Sequence, residues 1–274
     1  MPFTIAHPVA AVPLRHLLGP YGDTTALVVG SIVPDLAYFL PLSVARSQSH
    51  SLEGLLWFCL PVGLLGYAVF FAWIAPLLSD VAPSGVRKRF PRGWSRGVPF
   101  RPRAALPVSI LAGAGTHLLW DAFTHADGFV VAALPVLSVE LASSGGYPVY
   151  GFKLLQHGST LAGVVILAWW ALQVRRSAPP PVAPRRASPA VRLGLLGAVL
   201  MPPAIAALAA VQPMSPVDGA LVGQLQRSIG AVVFSAGAVF VASLLVVSGA
   251  WRAIRPRPGG GYASGAHGSS TPST

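Results

Sequence analysis

The segment GTHLLWDAFTH, residues 115–125, carries an imidazole, a carboxylate and a second imidazole at intervals of four: His117, Asp121 and His125. On a helix four residues make one turn, so the three project from nearly one face. Nitrogen and oxygen donors in that array suit a borderline divalent ion such as Zn²⁺, at ~2.0–2.2 Å. An Asp–His pair that ties helices together would use the same spacing, and the motif alone leaves both readings open.

Asp121 shares a second property with Asp35: both fall inside apolar runs, where an ionised carboxylate costs at least ~2.5 kcal/mol unless it is paired. Candidate partners are His7 and His50. Each has a plainer competing role: His50, in Ser49-His50-Ser51, as a helix cap; His7 as an exposed terminal residue; Asp35, after Pro34, as the cap of a half-helix. His157 precedes Gly158-Ser159 and reads as a helix-start residue, His16 as interfacial, His267 as part of a flexible tail. Asp127 and Glu140 are weak candidates for moving a proton.

The elements that must position these groups are membrane helices. Of 274 residues, 53% are apolar and only 10% charged, far below the quarter usual for a soluble domain. Apolar runs at 25–44, 54–78, 104–125, 159–174, 193–211 and 229–251 predict an all-α polytopic bundle of about six spans. Pro34 and Pro41 interrupt the first run, and residues 1–24 form a short or re-entrant helix before it. Residues 126–157 read as interfacial or half-membrane segments. The expected organisation is a bundle at 1–174 with the site, a Pro/Arg-rich linker at 175–191, a transmembrane hairpin at 192–251 and a disordered tail at 252–274.

The net charge of +11 would suggest nucleic acid on a soluble protein. Here fifteen of the nineteen Lys and Arg lie in 79–103, in 175–192 and after 251, which is the positive-inside pattern. Those loops and the C-terminus are therefore expected on the cytoplasmic side, with membrane lipids as surroundings and no nucleic-acid partner. The single cysteine, Cys59, lies in an apolar run and reads as packing. With these directions Asp121, His125, His50 and Asp35 reach the same outer boundary. His7 joins them if residues 8–24 dip in and return as a hairpin with the next helix.

The blocks MPFTIAHPVAAVPLRHLL, LVVGSIVPDLAYFL, HSLEGLLWFCLPVGLL and GTHLLWDAFTH closely resemble the bacterial membrane family catalogued as domain of unknown function 4184, over about residues 1–174. That family is similar to membrane-bound metal-dependent hydrolases. Its order of His, Asp, His and His-x3-Asp is similar to zinc-dependent phospholipase C and related single-strand-specific nucleases. The resemblance implies His7, Asp35, His50, His117, Asp121 and His125 as metal ligands. It also implies a metal-activated hydroxide attacking a lipid or lipid-linked phosphoester. The soluble enzymes add a further His-x3-Asp or His-x3-Glu pair, whereas Leu161 stands four residues after His157 here, so one or two ions are expected rather than three. A transporter or scaffold with the same cluster is the alternative; a transporter needs polar groups continuing to the inner face. No His-Glu-x-x-His or nucleophile-elbow motif is present.

Overall fold

From Thr4 the chain makes a 3-10 turn (Thr4–Ala6) and two single-turn helices, α1 (Pro8–Ala11) and α2 (Leu14–Leu17). Pro13 denies α1 its next amide and keeps it short. A 3-10 turn at Gly19–Tyr21 reverses the chain, with Gly19 at φ 53° in the left-handed region that glycine tolerates. Asp23 then caps α3 (Thr24–Leu36), its carboxylate accepting from the Ala26 amide at 2.9 Å. At one end of this hairpin Thr4 Oγ1 donates to Asp35 Oδ2 at 2.7 Å. At the other, Ser109 Oγ accepts from the Asp23 amide at 2.9 Å and donates to the Tyr21 carbonyl at 2.8 Å.

The computed structural model describes residues 4–40, 42–87, 104–144, 147–176, 187–211 and 221–255. After α3 come α4 (Arg46–Ser49) and the long helix α5 (Leu52–Val81), which contains two π turns, Leu55–Cys59 and Phe70–Ile74. There follow α6 (Ser84–Arg87), α7 (Ala105–Thr124), α8 (Phe129–Ala133), a hairpin of β1 (Glu140–Ser144) and β2 (Tyr147–Tyr150), then α9 (Gly151–Arg176), α10 (Pro189–Ala209) and α11 (Leu221–Ile254). The basic loop beyond residue 87, most of the 175–191 linker and the tail from 256, His267 included, lie outside the described residues.

The protein is mostly helical, and among the described residues four helices are long and apolar enough to cross a bilayer: Leu52–Val81, Gly151–Gln173, Pro189–Ala209 and Gly223–Ile254. Their apolar side chains, among them Leu65, Trp169, Leu200 and Val246, are largely exposed, as lipid-facing groups are and soluble cores are not. These four helices do not by themselves establish the roughly six spans read from sequence. The first run yields only the 13-residue α3 before the turn at 37–40, too short to span, and α7 is shared between apolar residues and the polar chemistry groups. Residues 126–157 also differ from an all-α expectation, folding partly as the antiparallel β1–β2 hairpin. The next helix starts at Gly151, so His157 lies inside α9, exposed, rather than at its start.

The helices α3 and α7 are the centre. A Cβ on Gly30 would stand 2.2 Å from the Ile110 carbonyl oxygen, and one on Gly113 would stand 2.3 Å from that of Leu27. The two backbones therefore touch through paired glycines, the small-residue packing membrane helices favour. Leu27, Ile110 and Ala114 are fully buried along this pair, between its Asp23 and Asp35 ends, with Ile110 packed against Ala26, Tyr67 and Phe71. Cys59 packs with Val33, Phe58 and Ala114.

The C-terminal hairpin closes on α5. Leu77, Val81, Val199 and Trp251 form its buried core. Buried Asp80 accepts from Trp251 Nε1 at 3.1 Å and Arg255 Nε at 2.6 Å, and Arg192 donates to the Val81 carbonyl at 3.0 Å. The C-terminal end of α5, the start of α10 and the end of α11 are therefore at one end of the bundle. Toward the opposite end, α11 lays Phe234 against Tyr38 and fits Gly237 over the Phe39 ring.

Candidate metal centre

The N-terminal hairpin, the close α3–α7 contact and the turn before α5 bring the predicted residues to one place. His117 Nε2 lies 3.6 Å from Asp35 Oδ1 and 3.6 Å from Asp121 Oδ2. His50 Nε2 is 3.3 Å from Asp35 Oδ1 and 3.6 Å from Asp121 Oδ2. These separations are near the roughly 3.4 Å between neighbouring ligands on a tetrahedral shell of ~2.1 Å radius. On the other side of the carboxylate, Asp121 Oδ1 faces His7 Nε2 at 3.8 Å and His125 Nδ1 at 3.4 Å. Among the described residues two sets of three have mutual ligand-atom distances within 4.8 Å: Asp35, His50, His117 and His7, His117, Asp121.

Each side chain is aimed by a neighbour. His117 is fully buried, and its Nδ1 is 2.8 Å from the Ser31 carbonyl. A carbonyl only accepts, so Nδ1 carries the hydrogen and Nε2 faces the carboxylates. His50 Nδ1 is 2.9 Å from Ser49 Oγ, whose own hydrogen goes to the Arg46 carbonyl. Asp35 has one oxygen held by Thr4 and turns the other inward. His7 stacks on His117 with centroids 3.8 Å apart and meets Trp120 edge-on at 5.3 Å. Burial, reinforced by nearby His117, lowers the His7 pKa to about 3 and keeps the ring neutral, the form that ligates.

The buried atoms His7 Nδ1 and Nε2, His50 Nε2, His117 Nε2 and Asp121 Oδ1 have no hydrogen bond of good geometry among the described residues. Orphaned buried polar atoms are costly and rare. Such atoms on four neighbouring side chains, His7, His50, His117 and Asp121, are the arrangement a cation would satisfy, with one nitrogen of each ring, and the residues present fit one.

Not every predicted residue stands alike. His125 belongs to neither set of three. Gln156, fully buried on α9, takes Lys153 Nζ on its oxygen at 3.1 Å and turns its amide nitrogen to His125 Nε2 at 3.3 Å. Nδ1 of His125 then carries the hydrogen, which Thr124 Oγ1 accepts at 3.3 Å while its own hydrogen goes to the Trp120 carbonyl, so the ring is held from both sides with Asp121 Oδ1 3.4 Å from Nδ1. The cap roles weighed for His50 and Asp35 belong to other residues: Ser51 caps α5, and Asp35 is the penultimate residue of α3. His7 is 1% exposed, not terminal and solvated. His16 is exposed, as is Glu140 at the start of β1. Asp127 is exposed and paired with Arg46.

Sequence reasoning passed over Arg46, Thr4, Ser31 and Gln156. Arg46 Nη2 donates to Asp121 Oδ2 at 2.9 Å while Nη1 holds Asp127. A lone arginine between two apolar runs on the less basic side of the bundle was the available signal. Ser31 acts through its backbone, which no residue type announces.

A helical bundle of membrane type, with a buried His/Asp cluster at one end and an apolar seal beneath it, is the class of protein these features define. The chain belongs to the family described as domain of unknown function (DUF4184), whose model matches residues 1–249. That match extends through most of α11, so the C-terminal hairpin is part of the family's domain and not an appendage to residues 1–174. No curated protein and no solved structure matches the chain.

Proposed function

We propose that the protein is an integral-membrane, metal-dependent hydrolase acting on a lipid or lipid-linked phosphoester. The observation that carries this reading is the set of orphaned, buried imidazole and carboxylate atoms of His7, His50, His117 and Asp121, gathered beside Asp35. A divalent ion bound there, Zn²⁺ by the chemistry of the donors, would supply Lewis acidity and bring the pKa of a water toward ~7.

The chain's own groups divide the work. Asp35, His50 and His117 form one holding set, Asp121 places an oxygen toward that set and its other oxygen toward His7, and a bridging role falls to this carboxylate. His125, fixed by Gln156, orients Asp121 or serves as a further ligand. Arg46 neutralises charge on the open side. The basic ends gathered near Asp80 favour a cytoplasmic placement for the loops at 79–103 and 175–191 and for the C-terminus, in a bacterial membrane. In that reading α7 is a further span, shielded by its neighbours, and the cluster faces the outer boundary.

The transporter alternative requires a polar path. Leu27, Ile110 and Ala114 fill the interval between the cluster and the buried Asp23 network, which favours a pocket over a conduit. The test is metal analysis of purified wild type beside His117→Ala and Asp121→Asn, followed by a screen of phosphoesters and lipids. Stoichiometric metal in wild type, loss in both variants and metal-dependent turnover are expected. Equal, negligible metal in all three folded proteins would refute the reading, and metal without turnover would move it to the non-catalytic class.

A further inference from the structure

An apolar cleft of about 450 Å³ lies in the seam between α7 and α9, lined in part by Ala10, Leu119, Trp120, Phe123, Leu155 and Ser159. That volume is within the range of ligand pockets, ~300–1,000 Å³. Leu119, Phe123 and Leu155 are exposed, so on a membrane bundle the cleft opens to hydrocarbon. Trp120 lines it and also touches His7. Thr124 and Leu155 line it as well, and they immediately precede His125 and Gln156 in the chain.

Two cations stand at that end. Arg46 is hydrogen-bonded to Asp121, with about a quarter of its side chain (27%) exposed. Lys153 reaches His125 through Gln156. Arg46 thus borders the cluster through Asp121, Lys153 through Gln156 and His125, and the cleft through Trp120, which touches His7.

We infer that this cleft is a lipid-chain subsite: it takes one aliphatic chain of a phosphomonoester lipid, whose phosphate is received by Arg46 and Lys153 beside the cluster. This deepens the hydrolase reading by naming the substrate class, and it rests on that reading for what happens after binding, not for binding itself. A chain leaving the bilayer for the cleft exchanges one apolar environment for another and gains little. The charge-assisted contacts to phosphate, bidentate in the case of arginine, must therefore supply most of the selectivity. The cleft sets the register that brings the phosphate to the cluster.

The test uses the full chain in phosphatidylcholine nanodiscs, freed of metal by chelation, with phosphatidic acid brominated on its acyl chains as a quencher of tryptophan fluorescence. Saturable quenching is expected, lost in Trp120→Phe, competed by unbrominated phosphatidic acid and not by inorganic phosphate at the same concentration. Joint Arg46→Gln and Lys153→Gln substitution should weaken it about tenfold or more, the loss of one or more charge-assisted hydrogen bonds. Ala10→Phe, which fills the cleft from α1, should abolish it with the protein still folded by circular dichroism. The lipid-facing tryptophans, Trp169 among them, give a non-saturating background that every variant shares; equal saturable quenching by brominated phosphatidylcholine, a saturable component that survives Trp120→Phe, or indifference to the charge and cleft variants would overturn the inference. Zinc binding measured on the same proteins without lipid separates the two proposals: lipid binding without metal sinks the hydrolase reading alone, and metal without lipid binding sinks this one alone.

Discussion

Substituting Gly113 by alanine tests whether the approach of α3 to α7 sets the cluster's geometry. The new Cβ would lie 2.3 Å from the Leu27 carbonyl oxygen and 2.9 Å from the Ser31 amide nitrogen. Relief to an ordinary contact of about 3.4 Å requires the helices to part by roughly 1 Å, since both obstacles are backbone. Ser31 is also the residue whose carbonyl aims His117, at 2.8 Å. A 1 Å separation stretches that bond beyond hydrogen-bonding range and widens the 3.6 Å spacing of His117 and Asp35. Overpacking of this kind costs about 1–3 kcal/mol of stability. Ligand positions tolerate only about ±0.2 Å, and a lost orienting partner costs ~10–100-fold in metal affinity. Gly115, two residues on, is the control: nothing lies within 4 Å of its added Cβ, so Gly115→Ala should be neutral or stabilise the helix by up to about 1 kcal/mol. Thermal unfolding in detergent and zinc titration against a chromophoric chelator read both effects. If Gly113→Ala keeps wild-type zinc affinity, or matches Gly115→Ala in both measurements, the reasoning is wrong.

Other expectations follow from single contacts. Thr4→Val removes the donor on Asp35 Oδ2 and should weaken zinc binding about tenfold with little change in unfolding temperature. Asp80→Ala strips the buried partner of Arg255 and Trp251 and should cost about 3–5 kcal/mol, seen as a lower unfolding midpoint, while the folded fraction still binds metal. His7 has a folded pKa lowered to about 3 against 6.5 unfolded, so between those values the unfolded chain binds the proton and the folded one does not. Its contribution to apoprotein stability therefore falls as pH drops from about 6.5 toward 3. The difference in stability between wild type and His7→Phe should change with pH across that window, and a flat difference would count against a buried neutral ring. Gln156→Leu frees His125 to rotate and should change zinc affinity without loss of fold, whereas no change would remove Gln156 from the site.

Much of the site was legible because membrane chemistry makes it so. Few charges are affordable in hydrocarbon, so Asp35 and Asp121 were conspicuous by cost alone, and the interval of four put His117 and Asp121 on one helical face whatever the tertiary fold. Composition likewise implied a helical membrane protein, since no other regular structure with these runs satisfies its backbone in lipid. The number of spans was less readable. Apolar run length does not reveal that α3 ends at Leu36 or that residues 140–150 pair as strands, because both are decided by turns and neighbours.

What the tertiary structure alone decided is which groups meet and how they point. The meeting of His7 with His117 depends on a reversal at Gly19 and the return of α3, and that of Asp35 with His117 on two glycines allowing helix backbones to touch. The orientation of His117 comes from a main-chain carbonyl, that of His125 from an amide on α9, and the counter-charge from Arg46. Periodicity fixes which face a side chain leaves from. Only packing fixes the separation of those faces to the precision a site requires, because it is set by contacts between segments remote in the chain.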